Sequence, residues 1–109
     1  MTETRQGEVC ILSLTGRIDS SNAETLLARL NAIIASDART VLVDFATVRY
    51  LTSAAFRALL LANRKITGSD RRMILCGVIG HVRELFEMGG LLPIFTIYSS
   101  REEAFSSLT

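Results

Sequence analysis

The chain is poor in the residues on which most enzyme chemistry depends. It has one His, two Cys and no Trp among 109 residues. That inventory cannot build a Cys/His zinc site of ordinary ligand spacing. No G-x-S-x-G, P-loop or G-x-G-x-x-G occurs, which removes the nucleophile-elbow hydrolases and the common nucleotide-binding turns. An excess of one charge is missing too. Twelve Lys+Arg stand against eleven Asp+Glu, a formal net charge of +1, without the basic footprint that a nucleic-acid partner requires. No apolar run approaches the ~18–20 residues of a membrane span, so no membrane insertion is expected. The polar opening MTETRQGE argues against a signal peptide. Two Cys without an export signal read as reduced thiols of a cytoplasmic protein.

What the chain does have is the material of a core. Hydrophobic residues make up 49% and charged residues 21%, the balance of a folded domain and not of a disordered one. The length suits a single domain over residues 1–109. Residues 8–15, E-V-C-I-L-S-L-T, are β-branched and apolar and are followed by Gly16, which predicts a buried strand stopped there. Residues 2–5 are placed to pair with it as an edge strand. Ser21-Asn22-Ala23-Glu24 fits a capping box, and Leu26, Leu27, Leu30, Ile33 and Ile34 continue at helical spacing, predicting a helix over about 22–35.

Residues 40–45 form a second apolar run of the kind buried in parallel sheets. A connection over 46–51 leads to Thr52-Ser53 and a stretch of good helix formers that Gly68 stops. A third strand over 72–76 ends at Gly77. A short helix carries Val82, Leu85 and Phe86 and ends near Gly89-Gly90, a last strand covers 94–98, and Ser100-Arg101-Glu102-Glu103 opens a C-terminal helix. The order β-β-α-β-α-β-α-β-α predicts an α/β fold: one layer of four to five mostly parallel strands with about four helices and right-handed crossovers.

Ligands of open α/β sheets gather where parallel strands end. Asp19, Asp44 and Ser53 all fall at such ends, and Asp19, Ser20 and Ser53 are expected to share one rim. Ser53 would open a helix, where free amides and the positive dipole end favour an anion such as a phosphate. By residue type alone Thr52 or Ser53 is first of all an N-cap, and Asp44 a turn residue holding backbone amides. No His, Lys or metal-ligand set stands beside the two aspartates, so paired-carboxylate catalysis is not supported. His81 reads as a surface or capping residue, Cys10 and Cys76 as small buried hydrophobes, and Arg64-Lys65 and Arg71-Arg72 as solvated surface. No enzyme activity and no cofactor are expected.

Four segments, in order and across the chain, resemble the STAS family, the fold of bacterial anti-sigma-factor antagonists and of the cytoplasmic tails of sulfate transporters. They are G-R-I-D-S-S-N-A-E-T-L (16–26), V-L-V-D-F-A-T-V-R-Y-L-T-S-A-A-F (41–56), L-C-G-V-I-G-H-V-R-E-L-F-E-M-G-G-L (75–91) and F-T-I-Y-S-S-R-E-E-A-F (95–105). The resemblance implies a module that docks on an anti-sigma factor with serine kinase activity and is switched off by serine phosphorylation. The family's phosphorylated serine falls on Ser53, and its first-loop aspartate on Asp19. Thr52 and Ala55 stand where the family carries Asp and Gly, and Ala54 also departs. The implied partner surface comprises Asp19, Ser20, Ser21, Asn22, Thr52, Ser53, Ala54, Phe56 and Arg57, and the resemblance leaves room for a homodimer. The alternative it implies is a non-switching scaffold or accessory subunit of a transporter ATPase or signalling complex. The departures at Thr52 and Ala55 favour that alternative, while Ser53 and Asp19 favour the switch.

Overall fold

The computed structural model describes residues 1–108. Five strands, β1 (Thr2–Gln6), β2 (Val9–Ile18), β3 (Thr40–Leu51), β4 (Arg72–Cys76) and β5 (Thr96–Tyr98), lie in one sheet in sequence order. β1 pairs antiparallel with β2, and the remaining neighbours are parallel. The helices are α1 (Ala23–Ala35), α2 (Ser53–Ile66), α3 (Gly80–Met88) and α4 (Arg101–Ser106). The predicted element order and the mostly parallel sheet are as observed.

Strands that follow one another in space and sequence, joined by crossovers of one hand, put their linking helices on one face. Accordingly α1, α2 and α3 cover that face, closing a core around Leu12, Leu14, Val43, Phe45, Leu59 and Phe86. Phe86 is fully buried and meets Phe45, Phe56 and Phe95 edge-on at ring-centroid distances of 5.7, 5.0 and 6.2 Å, the geometry that aromatic quadrupoles favour. Val9, Ile11, Leu42, Ile74 and Cys76 point to the opposite face, against Ala104 of α4. There Asp44 accepts from Arg101 Nε at 3.1 Å and Nη2 at 2.8 Å, and its other oxygen accepts from the Ala46 amide at 2.9 Å. Asp44 thus anchors α4 and holds a backbone amide, but it does so from inside β3 and not from a strand-end turn, because β3 continues past it to Leu51. Burial, and next the adjacent Asp44, push the Cys76 thiol up to about 12, which keeps it neutral.

Several local expectations are corrected. β2 does not stop at Gly16 but runs through it to Ile18, and 46–51 is strand, not connection. The reason is periodicity. Residues 45, 48 and 51 of β3 all face the helical core, three apart and not two, because two register shifts interrupt the pairing with β2. A bulge breaks the alternation by which strands are recognised. β5 begins at Thr96, two residues later than predicted.

The capping box at Ser21 does not form. The N-cap of α1 is Asn22, and the Ser21 hydroxyl donates to Asp19 Oδ1 at 2.5 Å. At α4 the Ser100 hydroxyl does accept from the Glu103 amide at 3.1 Å, but the Glu103 carboxylate takes the amide and hydroxyl of Ser99. Arg71 is not solvated surface. Its guanidinium donates to the carbonyls of Ala38 and Ile34 at 2.8 and 2.5 Å, so a cation satisfies carbonyls at and just beyond the negative end of the α1 dipole.

Gly77 tests the packing of β4 against β3. It has φ +73°, and a Cβ there would stand 2.6 Å from the Ala46 nitrogen, which Asp44 holds in place. Gly77→Ala is expected to cost about 2–5 kcal/mol, combining left-handed strain with overpacking. Gly16→Ala, at φ +72° with no atom within 4 Å, should cost only the strain, roughly 1–2 kcal/mol. Urea denaturation of the two variants measures the difference, and equal losses would refute the steric argument.

Candidate functional site: the rim at the ends of β2 and β3

The register shifts decide what meets at the rim. Val9 to Ser13 pair with residues 31 positions ahead in β3, whereas Arg17 and Ile18 pair with residues 33 ahead, Tyr50 and Leu51. Two extra residues in β3 restore the side-chain alternation that one would have inverted. The ladder then closes with Thr52 N–H donating to Ile18 C=O at 3.0 Å. The start of α2 is thereby tied to the start of the loop that carries Asp19. The expected gathering of Asp19, Ser20 and Ser53 at one end of the sheet is what this bond brings about.

The two halves of the rim are built differently. The Asp19 half is closed on itself. Asp19 Oδ1 accepts from the Ser21 amide at 2.9 Å as well as from its hydroxyl, and Oδ2 lies 3.3 Å from Arg17 Nε. Asn22 Oδ1 accepts from the Asp19 amide at 2.9 Å, while Asn22 Nδ2 donates to the Arg17 carbonyl at 2.9 Å. The Ser21 hydroxyl, then its amide, and less strongly Arg17 hold the Asp19 carboxyl below the usual carboxylate range. Arg17 in turn lies over the Tyr50 ring at 4.5 Å, and that ring stacks on His81 at 6.0 Å. His81 sits 3.7 Å from Glu84. A surface chain from loop to α3 is thus formed by residues that no motif spacing links, at positions 17, 50 and 81.

The α2 half is open. Thr52 is the N-cap, yet its side chain makes no capping bond and instead leans to the Ile18 carbonyl at 3.4 Å. The amides of Ala55 and Phe56 turn back to the Thr52 carbonyl, which leaves those of Ser53 and Ala54 directed outward. Ser53 is exposed, and its hydroxyl has no partner among the described residues. Ala55 is fully buried in the helix, so a side chain is accommodated where the family pattern has Gly. Phe56 is half-buried with its ring on Phe86, and its larger role is to fix the first turn of α2 to the core. Arg57 is exposed and lines a shallow groove between α1 and α2 with Ser20, Glu24, Leu27 and Ala54.

Comparison with known proteins gives a consistent family. The family model described as the STAS domain matches residues 1–104. BtrV of Bordetella bronchiseptica, provisionally named an anti-sigma factor antagonist, is 38% identical over 94 residues, 86% of this chain and 81% of its own length. The structure of an anti-sigma factor antagonist from Mycobacterium paratuberculosis superposes with a TM-score of 0.84 at 20% identity, over 97% of this chain and 90% of that one. SpoIIAA, a Bacillus cell fate determinant solved in its phosphorylated form, superposes with a TM-score of 0.74 at 22% identity, over 99% and 98%. The two structures share the fold. No helix among the described residues is long and apolar enough to cross a membrane.

The closed half of the rim is expected to open in acid. A carboxyl whose folded pKa is lowered contributes its full stabilisation above the unfolded value near ~4, and loses it as the pH falls through the folded value. In neutral solution the Ser21 amide should be protected from exchange, and its resonance should titrate with a midpoint below that of an ordinary aspartate. Asp19→Asn should remove that titration. A Ser21 amide that titrates in the ordinary carboxylate range, or keeps its titration in the variant, would refute the assigned bonds.

Proposed function

Since the chain belongs to the STAS domain family, we propose that it is an anti-sigma factor antagonist, a binding module whose partner is an anti-sigma factor. The finer reading is that this partner is also a serine kinase and that phosphorylation of Ser53 ends the complex. The observation that carries it is the free, exposed Ser53 hydroxyl in the first turn of α2, beside a loop locked by Asp19. The kinase would transfer the γ-phosphoryl group of ATP to Ser53 Oγ, releasing ADP and the hydroxyl proton. The product carries ~1.5–2 negative charges where the neutral hydroxyl stood. In the free domain that charge remains hydrated and faces the favourable end of the α2 dipole. Inside a complex it would be stripped of water with no matched cation supplied by the partner, which is costly.

The partner surface on this reading spans Asp19 to Asn22 in the locked loop, and Thr52, Ser53, Ala54 and Arg57 on the first turns of α2. Phe56 acts from beneath. The pre-set loop supports it, because ordered groups lose little entropy on docking. On this reading the module acts by occupancy and not by turnover.

Three measurements test the reading. Incubation with the cognate kinase and ATP, followed by mass spectrometry, should place phosphate on Ser53, and Ser53→Ala should abolish it. Ser53→Asp should leave the melting temperature nearly unchanged while weakening partner binding about ten-fold or more, equivalent to ~1.4 kcal/mol per decade. Unaltered affinity would place Ser53 outside the interface and leave the non-switching scaffold as the better reading. Thr52→Asp, which restores the family carboxylate, should raise the phosphorylation rate by a family kinase. An unchanged rate with several kinases would refute a role for that carboxylate.

A further inference from the structure

Ser53 and Arg57 are four residues apart on α2, and both are exposed. Residues at that spacing sit on one helix face with Cβ atoms ~5–6 Å apart. Long helical side chains lean back over the preceding turn, which puts Arg57 within reach of the turn on which Ser53 stands. Arg57 makes no ion pair among the described residues, unlike Arg5, Arg17, Arg39 and Arg101. The first turn of α2 holds no acidic residue that would compete for it. Of the other charges at this end, Asp19 and Arg17 are engaged with one another, and Glu24 of α1 faces Arg57 across the groove without pairing.

We propose that Arg57 is an intramolecular clamp for a phosphate on Ser53, an inference that rests on Ser53 being the modified residue. A planar guanidinium binds phosphate oxygens in a two-pronged fashion, and an anion four residues before a cation is the favourable order along a helix. In the unmodified protein Arg57 is instead unpaired among the described residues, on the α2 wall of the groove opposite Glu24. Phosphorylation therefore changes the rim twice in one event: it adds a dianion at position 53 and withdraws the cation from the groove between α1 and α2. A partner that offers an acidic group to Arg57 loses that contact at the moment it meets the new charge.

The test installs phosphoserine at position 53 of the full chain by genetic encoding and follows the phosphate by phosphorus NMR during a pH titration. A guanidinium at the phosphate stabilises the dianion, so its second ionisation should fall below that of the Arg57→Gln phosphoprotein, by roughly half a unit at low ionic strength. Arg57→Lys should lie between them, since an ammonium supplies charge without the fork. The gap should shrink as salt is added. Identical titrations of the parent and Arg57→Gln phosphoproteins at low salt would overturn the clamp. Because the phosphate is introduced without a kinase, this outcome is separate from that of the kinase assay: failure to modify Ser53 enzymatically removes the switch reading, whereas equal titration curves remove only the role of Arg57.

Discussion

The bond from the Thr52 amide to the Ile18 carbonyl holds the rim together, and it exists because β3 carries two more residues than β2 between the paired stretches. Without those bulges Ile18 would stand opposite Arg49, and α2 would begin about 7 Å further from the Asp19 loop, two residues at ~3.3 Å each. With them, Leu51 returns to the core face and the chain turns into α2 beside the loop. Bulges often re-aim side chains next to functional sites, and here the pair of them sets the distance between the two halves of the rim.

Those halves divide the work by how their polar groups are used. Asp19, Ser21 and Asn22 direct their hydrogen bonds to one another or to nearby backbone, which makes the loop a fixed surface. Ser53 and Arg57 direct theirs to no other side chain or backbone group among the described residues, and both are exposed. The arrangement lets a charge be added at position 53 without disturbing the bonds that hold the loop. On the far face, Asp44 and Arg101 perform only structural work, seating a short helix that buries Cys76 and Ile74. The remaining candidates are likewise absorbed by the fold: Arg71 caps α1, and Cys76 stays a neutral, buried thiol.

Much of this was legible in the sequence for reasons that can be named. Apolar runs bounded by Gly at 77 and 89-90, and a Ser-x-x-Glu start at 100, are local signals, and local hydrogen bonding and burial decide them. The α/β order and the sheet follow from alternation of those runs. Local signals mislead where they compete. Ser21 satisfies the pattern of a cap, but the Asp19 carboxylate two residues earlier draws in both its amide and its hydroxyl, and the helix begins one residue later with Asn22 as N-cap. Residues 46–51 lost the period of a strand because the bulges spaced Phe45, Val48 and Leu51 three apart. Arg71 resembled surface charge because the carbonyls it serves lie more than thirty positions away.

The sequence by itself determined the order of the elements, the mostly parallel sheet and the family, since these rest on hydrophobic period, turn residues and four segments in fixed order. It also pointed to Ser53 and Asp19. Only the tertiary structure decided that the Asp19 loop is closed on itself while the Ser53 hydroxyl has no partner among the described residues, that Phe56 packs against the core, and that Arg17, Tyr50 and His81 form one surface chain. Each of those facts depends on strand register and on contacts between distant residues. Such contacts are fixed by packing in three dimensions and leave no periodic trace along the chain.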